Sequence, residues 1–104
     1  MAQYVLLLRA SPSGSAGFLL TGRHGGAQLE AAVRAVGGTV DALIAVTGNY
    51  DAVLIANLSE EAVLAVSHAM NVGGWYVEPH RAYLPEEVER AVALFPQLGE
   101  MRVE

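Results

Sequence analysis

The stretch VTGNYDAVLI, residues 46–55, decides the fold, because turn-forming residues interrupt two apolar runs there. Residues 39–47 and 50–57 are alternating, β-branched segments, and only Gly48 and Asn49 lie between them. Both residue types tolerate the positive φ angles of the primed turns that close tight hairpins. The stretch therefore predicts a β-hairpin closed by a two-residue turn.

Further strands and helices are predicted on both sides of this hairpin. Residues 3–10 are an apolar run typical of a buried strand, and residues 27–36 carry apolar side chains at helical spacing. Ser59 is placed to cap a second helix. Residues 75–83 predict another strand, and Pro79 restricts it to a sheet edge because proline cannot donate to a ladder. A last helix is predicted to begin at Pro85, with an inner face of Val88, Ala91, Val92 and Phe95.

The order of these elements indicates the fold class. Two strand–helix–strand units follow one another, and in both a Gly-Gly pair, at residues 37–38 and 73–74, separates the helix from the next strand. A chain of 104 residues is the size of one domain. We therefore predict a single α+β domain over residues 1–104: a ferredoxin-like βαββαβ antiparallel sheet with both helices on one face, followed by a C-terminal helix.

The strands are apolar on both sides, which predicts a dimer. In the strand before the hairpin, alternation places Val40, Ala42, Ile44 and Val46 on one face and Leu43 and Ala45 on the other. Leaving roughly 600 Å² of apolar sheet bare would cost on the order of 15 kcal/mol at ~25 cal/mol per Å². We therefore expect a homodimer that pairs two sheets face to face as a dimeric α/β barrel.

Composition excludes several classes of function. The net charge is −5 and the six basic residues, all arginines, are scattered, so nucleic acid is not an expected partner. The absence of cysteine excludes disulfides and thiolate chemistry. No apolar run approaches the ~20 residues that span a bilayer, and the opening apolar run is too short for a signal peptide. We expect a cytoplasmic protein without membrane association.

The hairpin motif carries a family resemblance. Gly48-x-Tyr50-Asp51, preceded by Gly37-Gly38 and by the opening strand at Tyr4, resembles the GYD domain family of small bacterial proteins. The likeness covers residues 2–94, while residues 11–26 are particular to this chain. The resemblance implies a ferredoxin-like fold related to the dimeric α/β barrels, and it implies no defined activity.

The hairpin offers the first pair of candidate site residues. In one interpretation Asp51 accepts backbone amides and Tyr50 packs against the sheet edge. In the other, Asp51 is a general base at the mouth of a pocket that Tyr50 helps to form. A general base needs a carboxylate lone pair that faces the cavity, and this requirement distinguishes the two interpretations of Asp51.

The last strand offers the second set. Alternation places Tyr76, Glu78 and His80 on one face and Trp75 on the other. Glu78 and His80 are then same-face neighbours about 7 Å apart, close enough for the carboxylate to orient the imidazole. The alternative is an exposed edge strand whose polar face meets water.

The remaining candidates lie before the first helix. His24 is in a glycine-rich segment from which it could reach a pocket, and Phe18-Leu19-Leu20 either joins the core or closes over a cavity. No histidines show metal-ligand spacing such as HxxxH, so neither a metal nor another cofactor is expected.

These patterns lead to two hypotheses. In the first, the dimer binds an apolar or aromatic small molecule and performs cofactor-independent acid–base chemistry such as isomerisation, cyclisation or oxygenation. His80 and Asp51 are its proton-transfer candidates, and the substrate-binding candidates are Tyr50, Tyr76, Trp75, Glu78 and His24. In the second, the protein is a non-catalytic binding or regulatory dimer.

Overall fold

A computed structural model describes residues 1–10 and 23–100, and the side chains of residues 1–10 and 26–97. The predicted Phe18-Leu19-Leu20 segment and the His24 side chain lie outside this part. The elements follow in the order β1 (Ala2–Ala10), α1 (Arg23–Ala35), β2 (Thr39–Ala45), β3 (Ala52–Leu58), α2 (Glu60–Val72), β4 (Trp75–Arg81), α3 (Pro85–Val92) and α4 (Phe95–Glu100).

The four strands form one antiparallel sheet in the order β2-β3-β1-β4. This order, with α1 and α2 as the crossovers, is the ferredoxin-like βαββαβ arrangement, so the predicted fold class is confirmed. Strand β4 lies at an edge, as Pro79 requires. Ser59 caps α2 as predicted, because its Oγ accepts the Ala62 amide at 3.1 Å.

The hydrophobic core lies between the sheet and the two crossover helices. Every second residue of β1 and β3 is buried on this side, which we call the helix face of the sheet. The buried hydrophobic residues are Tyr4, Leu6, Leu8, Leu29, Val33, Ala52, Leu54, Ala56, Leu58, Ala62, Val63, Val66 and Met70. Both crossover helices therefore pack on one face, and neither covers the opposite side, which we call the open face.

The hairpin differs from the two-residue turn that Gly48-Asn49 predicted. The last paired residues of β2 and β3 are Ala45 and Ala52, so the connection spans six residues, 46–51. The Val46 amide donates to the Asp51 carbonyl at 3.0 Å, and Gly48 has a φ of +113°. The glycine adopts the positive φ expected of the turn, but β2 ends at Ala45 and β3 begins only at Ala52, so both strands are shorter at the hairpin than predicted.

A β-bulge corrects the predicted faces of β2. The register shifts between Val40 and Ala42, so Val40 pairs with Ala56 on the helix face and Ala42 pairs with Ile55 on the open face. The prediction that Val40 shares a face with Ala42 and Ile44 was wrong, because strict alternation does not allow for an extra residue.

The open face remains apolar at its centre. Val5 pairs with Ile55 and Leu7 with Val53, and these four side chains are half-buried. Ile44, which pairs with Val53 from the other side, is 49% exposed.

The predicted start of α3 is confirmed, but its predicted inner face is wrong. Glu87 accepts the Leu84 amide at 3.0 Å and pairs with Arg81 at 3.0 Å, which holds the first turn to the end of β4. No residue of α3 is buried. The four apolar residues expected to face the core, Val88, Ala91, Val92 and Phe95, are all exposed.

Candidate functional site

A cluster of polar and aromatic side chains lies on the open face where β1 and β4 pair. In the register of these strands Arg9 lies opposite Tyr76, Leu7 opposite Glu78, and Val5 opposite His80. Paired residues of an antiparallel sheet share a face, so all of these side chains lie on the open face. The alternation predicted for Tyr76, Glu78 and His80 is confirmed.

One carboxylate oxygen is the centre of this cluster. The Tyr50 hydroxyl donates to Glu78 Oε2 at 3.0 Å, and His80 Nε2 lies 2.8 Å from the same atom. An ionised carboxylate only accepts, so Nε2 carries the ring proton. In the neutral imidazole the basic nitrogen is then Nδ1, which has no hydrogen-bond partner among the described residues. We call these three hydrogen-bonded residues the Tyr50–Glu78–His80 relay.

The same hydrogen bonds shift the pKa values of two groups. The bond to His80, and then the bond from Tyr50, lower the pKa of Glu78 below its ordinary 4.5. The bond to the Glu78 carboxylate raises the pKa of Tyr50 above its ordinary 10.0. At neutral pH Glu78 is therefore ionised and Tyr50 keeps its proton, which is the state in which both hydrogen bonds form.

A shallow groove adjoins the relay. It has a volume of about 310 Å³ and is lined by Leu7, Arg9, Tyr50, Tyr76, Val77 and Glu78. The guanidinium carbon of Arg9 lies 5.2 Å from the centre of the Tyr76 ring, at the distance of a cation–π contact. The Glu78 and His80 side chains are 53% and 55% exposed, so both are accessible to water.

Asp51 makes a backbone contact. Its Oδ2 accepts the Ala10 amide at 2.7 Å, and its own amide donates to the Leu8 carbonyl at 2.7 Å. These bonds join the hairpin to β1 and agree with the first interpretation of this residue. No hydrogen bond among the described residues joins Asp51 to Tyr50, Glu78 or His80, so the two proton-transfer candidates have separate partners.

Trp75 is also separate from the relay. Trp75 is half-buried and packs with Val77 against the core on the helix face, opposite Tyr76. His24 lies within α1, and its side chain is outside the described part. Of the proposed site residues, the structure thus brings together Tyr50, Tyr76, Glu78 and His80.

A second polar network on the open face was not predicted. Asp41 Oδ2 accepts the side-chain amides of Gln3 at 2.8 Å and Asn57 at 3.0 Å. The Asn57 amide also lies 3.3 Å from the Thr39 hydroxyl. These residues belong to three adjacent strands, and their pairing depends on the β2 bulge, which the sequence pattern did not reveal. Polar groups thus lie at both ends of the apolar centre of this face.

No family model matches the chain, and no curated protein matches it significantly. No helix within residues 1–10 and 23–100 is long and apolar enough to cross a membrane. The described side chains also contain no group of three potential metal ligands among His, Cys, Asp and Glu.

Proposed function

We propose that the protein is a cytoplasmic homodimer of the GYD type that pairs two open sheet faces and binds an apolar or aromatic small molecule beside the relay. His80 then exchanges a proton with the bound molecule without a cofactor. The observation that carries this proposal is the convergence of Tyr50 and His80 on one oxygen of Glu78, next to an apolar sheet surface.

The open face supports the dimer. Its centre consists of Val5, Leu7, Ile44, Val53 and Ile55, and none of them is fully buried in one chain. Two sheets that pack face to face interdigitate such side chains in a layer about 10 Å thick. The second copy would cover the relay, which is half exposed in one chain. Proton transfer is more effective once water is excluded, since electrostatic interactions strengthen at low dielectric.

The relay supplies the parts that a general base requires. His80 Nδ1 would take a proton from an activated C–H bond, and the electron pair would remain on the ligand as an enolate. Glu78 would stabilise the imidazolium through Nε2–H, and Tyr50 would hold the carboxylate in place. Return of the proton to another carbon completes an isomerisation and restores neutral His80. Asp51 remains the second candidate base, although its Oδ2 already accepts a backbone amide.

The alternative is a non-catalytic binding or regulatory dimer. The two hydrogen bonds of Asp51 to β1 favour it at that residue, because they give Asp51 a structural role. In this case Tyr50 and Glu78 connect the hairpin to the edge strand, and His80 contributes no chemistry.

The dimer is tested with a charge at the centre of the open face. Ile55→Asp would bury a carboxylate in the interface, so we expect a monomer at protein concentrations where the unmodified protein sediments as a dimer. Leu64→Asp is the matched control, because Leu64 is 73% exposed on α2 and away from the open face. A monomeric unmodified protein would refute the shared-barrel arrangement.

The chemistry is tested with acetophenone, an apolar aromatic carbon acid, by following deuterium uptake at its methyl group in D₂O. We expect the dimer to accelerate uptake and His80→Ala to lower the rate by about 100-fold, which is typical of losing a general base. Asp51→Ala is compared in parallel. If both variants lower only the melting temperature and leave the exchange rate unchanged, the non-catalytic alternative holds.

A further inference from the structure

We infer that the molecule bound beside the relay carries a carboxylate, and that Arg9 binds this group while its apolar part lies over Tyr76 and Leu7. This inference rests on the proposed function and names the class of ligand. The observation behind it is the difference between the two arginines at the β1–β4 pair, Arg9 and Arg81.

The contacts of Arg81 are internal to the fold. Its guanidinium pairs with Glu87 at 3.0 Å and donates to the carbonyls of Gln3 and Ala82. It also lies 4.7 Å from the centre of the Tyr83 ring. Arg81 is half-buried. Its donors are used to join β4 to α3, so it has a structural role.

Arg9 differs in its exposure and in its ion pairing. It is exposed on the open face, it lines the groove, and no carboxylate of the described residues forms an ion pair with it. Its contact with Tyr76 is a cation–π contact, with the guanidinium carbon 5.2 Å from the ring centre. Such a contact leaves the N–H donors available, in the fork geometry that matches a carboxylate.

The neighbouring groups favour an anion that is joined to an apolar body. Leu7 and the Tyr76 ring form an apolar wall beside the guanidinium. The hydrogen bonds from Tyr50 and His80 hold Glu78 Oε2 toward those two donors, and the Arg9 guanidinium forms no ion pair with it. Along β4, Tyr76 and His80 are four residues apart, or about 13 Å. An elongated arylalkanoate anchored at Arg9 would therefore extend toward His80.

The test compares hydrocinnamate with hydrocinnamamide, its neutral amide, by NMR titration of the ¹⁵N-labelled protein. We expect the acid to bind at least about fivefold more tightly than the amide, as one charge-assisted contact at a partly exposed site provides. Arg9→Gln should abolish this preference. Arg34→Gln should retain it, since Arg34 pairs with Glu30 on the outer surface of α1 at 3.3 Å. Arg9→Lys keeps the charge without the fork and should give an intermediate preference.

The outcomes separate this inference from the proposed function. If both probes shift the amides of Leu7 and Val77 with equal affinity, the apolar site stands and the carboxylate inference fails. A preference that survives Arg9→Gln, or one that Arg34→Gln also removes, overturns it as well. If neither probe shifts these amides, the binding site itself is refuted. The amide spectrum of each variant shows that it is folded, and Arg9→Lys provides the comparison if Arg9→Gln is not.

Discussion

Substituting Gly38 with alanine is expected to destabilise the fold strongly, for a reason visible in the packing. Gly38 is buried where α1 passes into β2. A Cβ atom there would lie 2.5 Å from Leu58 Cδ2, 2.8 Å from the Asn57 carbonyl oxygen and 2.9 Å from Val33 Cγ1. Leu58 and Val33 are both fully buried, and the carbonyl belongs to strand β3. None of the three atoms has room to move away.

The cost can be estimated from this geometry. Inserting a methyl group into a packed core costs typically about 1–3 kcal/mol. Three simultaneous contacts below the normal range, one of them with backbone, place Gly38→Ala at about 3 kcal/mol. Since 1 kcal/mol shifts the melting temperature of a domain this size by about 4–8 °C, we expect a decrease of roughly 12–24 °C.

The adjacent Gly37 provides a matched control with a different mechanism. A Cβ there meets no atom within 4 Å, but the residue has a φ of +82°. The left-handed conformation costs a residue with a side chain about 1–2 kcal/mol, so Gly37→Ala should be less damaging than Gly38→Ala. Gly37→Asn should be milder still, because asparagine visits this conformation more readily.

Urea denaturation of the three variants measures these differences as free energies of unfolding. The reasoning is refuted if Gly38→Ala lies within about 0.5 kcal/mol of the unmodified protein, the range typical of neutral surface changes. It is also refuted if Gly37→Ala is the more destabilising variant. In a Leu58→Ala background, which removes the closest of the three atoms, Gly38→Ala should cost about 1 kcal/mol less than it does alone.

Two further predictions follow from the shifted carboxyl groups. His80→Phe and Tyr50→Phe should each raise the pKa of Glu78 toward 4.5, and His80→Phe should have the larger effect because the His80 hydrogen bond is the main cause of the shift. A ¹³C NMR titration of the Glu78 carboxyl measures both changes. Equal pKa values in the unmodified protein and the two variants would contradict the relay. The pKa of Glu87 is lowered by its hydrogen bond from the Leu84 amide, which precedes α3, and then by Arg81. The ionised Glu87 therefore stabilises the folded state above its ordinary pKa of 4.5, and this stabilisation is lost as the pH falls through the folded-state pKa. Glu87→Gln should therefore reduce the helical Cα chemical shifts of α3 at pH 7 but not in acid, and a deficit that persists in acid would show that the charge is not responsible.

The sequence predicted the fold well where local chemistry and burial act together. Strand β1, the Ser59 cap and the edge position of Pro79 all follow from rules that apply within a few residues. The exposed face of α3 was not predictable in this way, because an apolar stripe at helical spacing shows that a partner surface is needed without showing which one. In the structure, no residue of α3 is buried.

The candidate site was predictable only in part, for a related reason. Alternation along β4 gave the shared face of Glu78 and His80, because side-chain direction has a period of two. The contact between Tyr50 and Glu78 joins residues 28 positions apart and depends on the path of the connection between β2 and β3. The bulge between Val40 and Ala42 likewise has no marker in the sequence. The alternating pattern of a strand does not show where an extra residue is inserted.

The length of that connection explains why a tyrosine and an aspartate stand next to each other in it. A two-residue turn at residues 48–49 would place both the tyrosine and the aspartate in β3, whereas the observed connection spans residues 46–51 and includes them. Asp51 reaches β1, the next strand in the sheet, with two backbone hydrogen bonds. Tyr50 reaches Glu78 on β4, one strand further. The two residues therefore act on different strands: Asp51 holds the connection in place, and this placement lets the Tyr50 hydroxyl act on the carboxylate that orients His80.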